Sequence, residues 1–593
     1  MRRIVLVPLD ERPCNHYYPQ LLGRVAGIEV IVPPEDLLGR KKRPAARREL
    51  GDWLMDEATR ADGLVVSTDM LAYGGLVPSR VSGVSCEDAL SSLAVLGRVR
   101  QARPGLPIFG HSVIMRVPAY NSADEEPDYW ATYGTRLNVY SMLLDVVDRG
   151  PDAWHRISHG DAGVSLRSAL EAVAMEPATH VGGSPLPGSS GGDGMGLGDV
   201  VAYTILEQRL ADLRRSIPAE VREDWHWRRD RNHRINEEMI RWAARGIFDF
   251  LAVTQDDSSV LGSPALEQRR LAHVVSAARA YRKVLIYPGA DEVGMVLVAR
   301  QAAAGIGIRP RVWLRFSSQA GPGVVPRYED RPLLEGIKSQ VVACGGFLAP
   351  SPESAQIHLF VSSPGGPQPE AIEQDIPGRD HGRNRNLAEF LEALSDHCTT
   401  QRVEGRVVAL ADVAYANGAD RSLVEMLPSY VHPFGLDAFA AWNTAANTVG
   451  TALSHACLRH AALGAAFAGD GGSFSLSPGG AAGEHERRAL ERAHHEFMML
   501  RFAEDWAYQA IVRQQIAAEL SEVPGVSPQA LGPHRGEVAW RVLARLQDIL
   551  APWVDTWTEG PSGSFSVELR GLSFPWDRLF DIKLDLRVNR SPG

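Results

Sequence analysis

Ten short β-rich apolar runs, most followed by a polar or glycine-rich turn and then a helical pattern, constrain the fold of this chain most. They are Ile4–Pro8, Ile28–Val32, Gly63–Thr68, Ile108–Arg116, Phe248–Thr254, Val284–Tyr287, Val312–Phe316, Ile357–Val361, Val407–Leu410 and Ala438–Trp442. Strand then helix, repeated, builds a parallel sheet with helices on its faces. Several runs are apolar on both faces, as strands covered on both sides must be.

Chemistry-bearing residues cluster after some runs only. They follow the first, third, fourth, fifth, sixth, ninth and tenth, whereas the seventh and eighth end in Ser/Gly/Pro loops. Active sites of α/β proteins sit at the carboxyl ends of strands. Setting those two runs aside leaves eight strands. The expected fold class is therefore α/β, a (β/α)8-type parallel barrel over 1–304 and 405–465. A small α/β insertion is expected over 305–404, a flexible linker over 466–483 and a helical plus small β region over 484–593. Two doubly wound α/β domains with a cleft between them account for the same pattern. Gly182–Asp199 reads as a surface loop.

Composition narrows the function classes. The net charge of −10 disfavours a phosphate-backbone partner, so no nucleic acid is expected. No run reaches the ~18 apolar residues of a membrane span. The five cysteines form neither a C-x-x-C pattern nor a disulfide framework, and the start lacks a signal-peptide core, so a cytoplasmic protein is expected. Motifs for zincins, P-loops and nucleophile elbows are absent from the sequence, so neither a metal nor a cofactor is expected. The oligomeric state stays open, a homodimer included.

Five segments carry the candidate chemistry. Asp10, Glu11, Arg12 and Asn15 follow the first run, where a planar guanidinium can clamp a carboxylate or hydroxyl oxygens. Gln255, Asp256 and Asp257 follow the fifth; adjacent carboxylates split their pKa values into an acid and a base, although Asp and Ser also cap helices. Asp291 and Glu292 follow the sixth, after a Pro-Gly turn and at a helix start whose dipole also favours them. Asp412, Asn417, Trp442, Asn443 and Asn447 add carboxylate, amide and indole groups suited to hydroxyls, an N-acyl group and a sugar face. Asp69, Tyr73, Arg116 and Asn121 are further lining candidates.

The stretches PLDERPCN, STDMLAYGGLVPSR, RNHRIN, TQDDSS, YPGADE, ADVAYANGAD, AWNTAANTVGTAL and FPWDRLFDI together resemble a bacterial family catalogued as domain of unknown function 4127, over nearly the whole chain. That family's name implies no chemistry. Locally, Pro288–Val293 resembles the Gly-Gly-Asp-Glu-Val strand end of family-20 β-N-acetylhexosaminidases, with Ala290 in place of a glycine. This likeness implies that Asp291 orients a substrate acetamide and that Glu292 is the acid/base. Asp256 and Asp257 are similar to the paired aspartates of the family-84 enzymes, which share that substrate-assisted mechanism.

The leading expectation is a glycoside hydrolase for N-acetylated amino-sugar glycans, catalysed by Asp291 and Glu292 or by Asp256 and Asp257. A Mg²⁺- or Mn²⁺-dependent hydrolase or lyase using Asp10, Asp69, Asp256, Asp291 and Asp412 as oxygen ligands is the second. A non-catalytic sugar-binding protein is the third. If the barrel reading holds, Asp10, Asp69, Arg116, Asp257, Glu292 and Asn443 should converge on one acidic, concave site with an aromatic wall and an acid of raised pKa.

Overall fold

The computed structural model describes residues 2–158, 161–174, 197–376, 384–400, 406–467, 481–523, 525–558 and 565–590. Each apolar run is a strand. β1 (Arg2–Val7), β2 (Ile28–Ile31), β3 (Gly63–Ser67), β4 (Ile108–Ile114), β5 (Phe250–Gln255) and β6 (Val284–Pro288) form one parallel sheet, ordered β2-β1-β3-β4-β5-β6. β7 (Arg311–Phe316), β8 (Phe347–Leu348), β9 (Ile357–Ser362), β10 (Val407–Asp412) and β11 (Ala438–Ala440) form a second, ordered β11-β10-β9-β7-β8. β12 (Phe565–Ser573) and β13 (Lys583–Arg590) pair antiparallel.

The architecture is mixed α/β with two parallel sheets, and the eight strands expected to close a barrel are divided between them. β10 pairs with β9 from Val407↔Ile357 to Asp412↔Ser362, and β9 pairs with β7. The two runs set aside for their bland loops are thus central to the second sheet. The expected boundary at 404 separates strands that are hydrogen-bonded neighbours. Loop chemistry reports which strand ends face a site; it carries no information on which strands share a ladder.

Residues of β3, β4, β5, β9 and β10 are buried throughout, so both faces of each sheet are covered. The helix Val293–Gly305 packs against β1, β3 and β4 and against the helix Ala445–Phe467, which packs on β10 and β11. One apolar core runs from Leu6 through Val296 to Leu359, Leu410 and Leu453, joining the two sheets. Between β4 and β5 the chain builds a helical layer, from Trp130–Arg149 to Ala219–Arg245, with its own core around Leu137, Trp154 and Trp225. The expected surface loop at 182–199 and linker at 466–483 fall mainly outside the described residues; 197–199 and 481–483 open helices.

Gly74 ends the helix Thr68–Tyr73 at φ +91°, and a Cβ there would stand 2.5 Å from the backbone nitrogen of Ala45. Gly74→Ala is expected to destabilise the fold by at least about 1 kcal/mol, read as a lower denaturation midpoint.

Candidate active site

β1 lies four strands from β6, about 19 Å at the usual inter-strand spacing, yet the residues that follow them meet. After Pro288 the chain turns at Gly289, φ +145°, where a Cβ would collide with the Glu292 carboxylate. This turn carries Asp291 back over the sheet to Arg12. The guanidinium donates to both Asp291 oxygens (2.6 and 3.0 Å) and to Asp10 Oδ2 (2.7 and 3.0 Å). The Asn15 amide bridges the same carboxylates at 2.9 and 3.3 Å. Burial pushes Asp291 up to about 7, against the pull of Arg12.

A second buried network lies at the ends of β4 and β5. Arg116 donates to Asp257 (2.8 Å), Glu125 (2.9 Å) and Glu126 (3.1 Å). Arg80 pairs with Glu125 (3.1 Å), Glu126 (3.2 Å) and Asp256. The C-terminal segment joins the two networks: Asp581 lies 3.7 Å from Arg12 and 2.5 Å from Arg578, and Arg578 pairs with Glu125. Trp576 lies under both guanidinium groups, 4.5 Å from Arg12 and 4.7 Å from Arg578.

Between these networks a narrow cleft is lined by Gln255, Asp256, Asp257 and Asp291 from the first sheet and by Tyr328, Glu329, Asn443 and Asn447 from segments after β7 and β11. Its free volume is about 20 Å³, room for one water molecule, so a larger ligand requires it to open. Three lining residues, Asp257 (φ +44°), Tyr328 (φ +66°) and Asn443 (φ +53°), hold left-handed backbone, which costs about 1 kcal/mol or more and gathers at functional sites. Glu329 is buried and accepts the Ala446 N–H; burial raises its carboxyl to about 8, so it carries a proton at neutral pH. Burial, and then Asp256 beside it, also raises Asp257.

The expected convergence is partial. Asp257 and Asn443 line the cleft; Arg116 backs Asp257 and Asp10 backs Arg12. Glu292, expected as an acid/base, lies fully buried below the floor. It accepts from Gln340 (2.7 Å), Asn447 (2.6 Å) and the Ala290 N–H (3.1 Å). Those donors occupy both its oxygens, which makes it a positioning residue for the Gly289–Asp291 turn. Asn447→Leu is accordingly expected to cost about 1–3 kcal/mol in unfolding experiments, because it removes one of the two donors to a buried carboxylate oxygen.

Other expected lining residues serve the fold. Asp69 accepts the Val113 N–H, and Tyr73 is buried in the first-sheet core under Arg231. Asn121 caps Thr135, and Glu11 accepts the Lys41 N–H and the Trp576 indole. Asp412 accepts backbone N–H groups of Ala414 and Asp420; Asn417 forms a left-handed turn bonded to the Asn443 carbonyl. Trp442, expected to stack on a sugar, is buried with its indole bonded to Thr451. The aromatic wall is Tyr328 instead.

Sequence reasoning missed Tyr328 and Glu329, whose loop follows a run judged bland, and Arg80, Glu125, Arg578 and Asp581. FPWDRLFDI, with two acids, an arginine and a tryptophan in a short apolar run, held the signal for the last two. Of the five aspartates considered as metal ligands, Asp10, Asp256 and Asp291 lie near one another, while Asp69 and Asp412 accept backbone N–H groups; among the described residues no group of three or more His, Cys, Asp or Glu is arranged to hold a metal ion.

No curated protein matches the chain. A family model does, over residues 4–157 and 202–585, and it covers both sheets and the C-terminal segment that closes the ion-pair network. The chain belongs to the family described as protein of unknown function DUF4127.

Proposed function

We propose that the cleft is the active site of a glycoside hydrolase acting on N-acetylated amino-sugar glycans. The observation that carries this reading is the gathering of Asp256, Asp257, Asp291 and Glu329 in one cleft, where burial raises Glu329 to about 8. Glu329, held protonated by burial, suits the general acid; Asp257, paired with Arg116, suits the opposing carboxylate. The Asn443 side chain has no hydrogen-bond partner among the described residues, and its amide can meet a substrate N-acetyl group. Asp291, clamped by Arg12, orients substrate hydroxyls or the acetamide.

Loss of a general acid costs typically about 10²–10⁴-fold in rate. Glu329→Gln and Asp257→Asn are therefore expected to lower turnover of N-acetylated oligosaccharides by at least about 100-fold. Both variants should keep the wild-type circular dichroism spectrum. Wild-type turnover in both would remove these residues from the reaction.

A further inference from the structure

A second cavity, of about 440 Å³, lies on the other side of the Glu11–Tyr17 segment from the cleft, between the turn at residues 39–43 and the start of the β12–β13 connection. Its charge runs against that of the chain. Arg40, Arg43, Arg535 and Lys583 line it, in a protein whose net charge is −10.

The turn Arg40-Lys41-Lys42-Arg43 is closed by reciprocal backbone hydrogen bonds of 2.8 and 3.0 Å between Arg40 and Arg43. Its lysines find aspartates, Lys41 pairing with Asp124 and Lys42 with Asp128. Its arginines line the cavity. Arg43 is exposed and has no side-chain partner among the described residues; Arg40 spends one N–H on the Pro575 carbonyl. Among the described residues Arg535 reaches only Asp577, at 3.9 Å.

The acidic groups here are occupied. Glu35 pairs with Lys583 at 3.3 Å, and Glu11 accepts from the Lys41 N–H and the Trp576 indole. Three guanidinium groups with unspent donors around one cavity repel each other unless an anion joins them, and their planar forks match phosphate oxygens. Tyr17 and Phe574 supply flat apolar walls beside them. The volume lies within the range of small-molecule sites.

We propose that this cavity binds a small phosphate monoester, with the phosphoryl group held by Arg40, Arg43 and Arg535 and its organic body against Tyr17 and Phe574. The site is independent of the glycosidase reading.

Calorimetry on the full-length protein with phenyl phosphate, inorganic phosphate and phenol tests it. Phenyl phosphate should bind saturably and more tightly than either of the others. Arg43→Gln and Arg535→Gln, tested singly and together, should each weaken it at least about tenfold, the loss of one charge-assisted contact. Lys42→Gln should leave it unchanged. Both arginines are exposed, and unaltered melting temperatures would confirm that the variants fold. No saturable binding of phenyl phosphate at millimolar concentration, equal binding of phenol, or wild-type affinity in the double variant would each overturn the assignment.

Discussion

Arg12→Leu is expected to destabilise the protein by about 3–5 kcal/mol, the usual cost of removing one partner from a buried ion pair. Among the described residues Arg12 alone neutralises Asp10 and Asp291 at hydrogen-bond distance, and all three are nearly inaccessible to water. Asp291 is already raised to about 7 with the guanidinium present; without it, that carboxyl escapes its penalty by taking up a proton. The loss should therefore be smaller at pH 5 than at pH 8. Arg12→Leu/Asp291→Asn should recover part of it, since one stranded charge is gone. Equal denaturation midpoints for wild type and Arg12→Leu at pH 8 would contradict the central place of this pair.

The second large effect is on stability against pH. Folding raises Glu329 from 4.5 to about 8, and Asp69, Asp291 and Asp505 from 3.8 to about 7, chiefly by burial. Each group binds its proton more tightly in the folded than in the unfolded chain. Its contribution to stability is complete below its unfolded value and is lost as pH rises through its folded value. Buried His111, His358 and His455, lowered chiefly by burial to about 3, 4 and 3, oppose this as pH rises toward their ordinary value of 6.5, so the melting temperature should fall between about pH 6.5 and pH 8. Glu125, which Arg116, Arg578 and Arg80 hold low, acts the other way, and only in acid near and below its ordinary value of 4.5. Glu329→Gln should flatten the fall by an amount on the order of a few kcal/mol, since each pKa unit corresponds to about 1.4 kcal/mol. A melting temperature that rises from pH 6.5 to pH 8 would contradict the burial of these carboxyls in protonated form, and a Glu329→Gln curve parallel to wild type would show that Glu329 is not held protonated.

The strands were legible because burial on both faces leaves a mark on every residue: Leu64-Val65-Val66 and Val407–Leu410 admit little else. Their grouping was not, because hydrogen-bonded pairing between β9 and β10 is a property of two distant segments. The acid pairs after β5 and β6 stood out for a related reason, as charges directly after buried strands require partners. Their roles depended on what packs against them. Glu292 and Asp291 are sequence neighbours, yet one is saturated by Gln340 and Asn447 while the other meets Arg12 and the cleft. Glu329 follows β7 by a dozen residues of irregular chain, where no periodicity could mark it. Trp442 sits in a motif rich in polar groups, but its bulk fills the core beneath the helix Ala445–Phe467.

The cleft reading is tested most directly by incubating wild-type protein with a panel of N-acetylated oligosaccharides in ¹⁸O-labelled water and weighing the products. Glycoside hydrolysis predicts two shorter glycans, with a single ¹⁸O at the newly formed reducing end for attack by water at the anomeric carbon. Labelled products should be at least about 100-fold fewer with Glu329→Gln over the same period. Binding of the oligosaccharides without cleavage, or cleavage that is equally fast in Glu329→Gln, would contradict it.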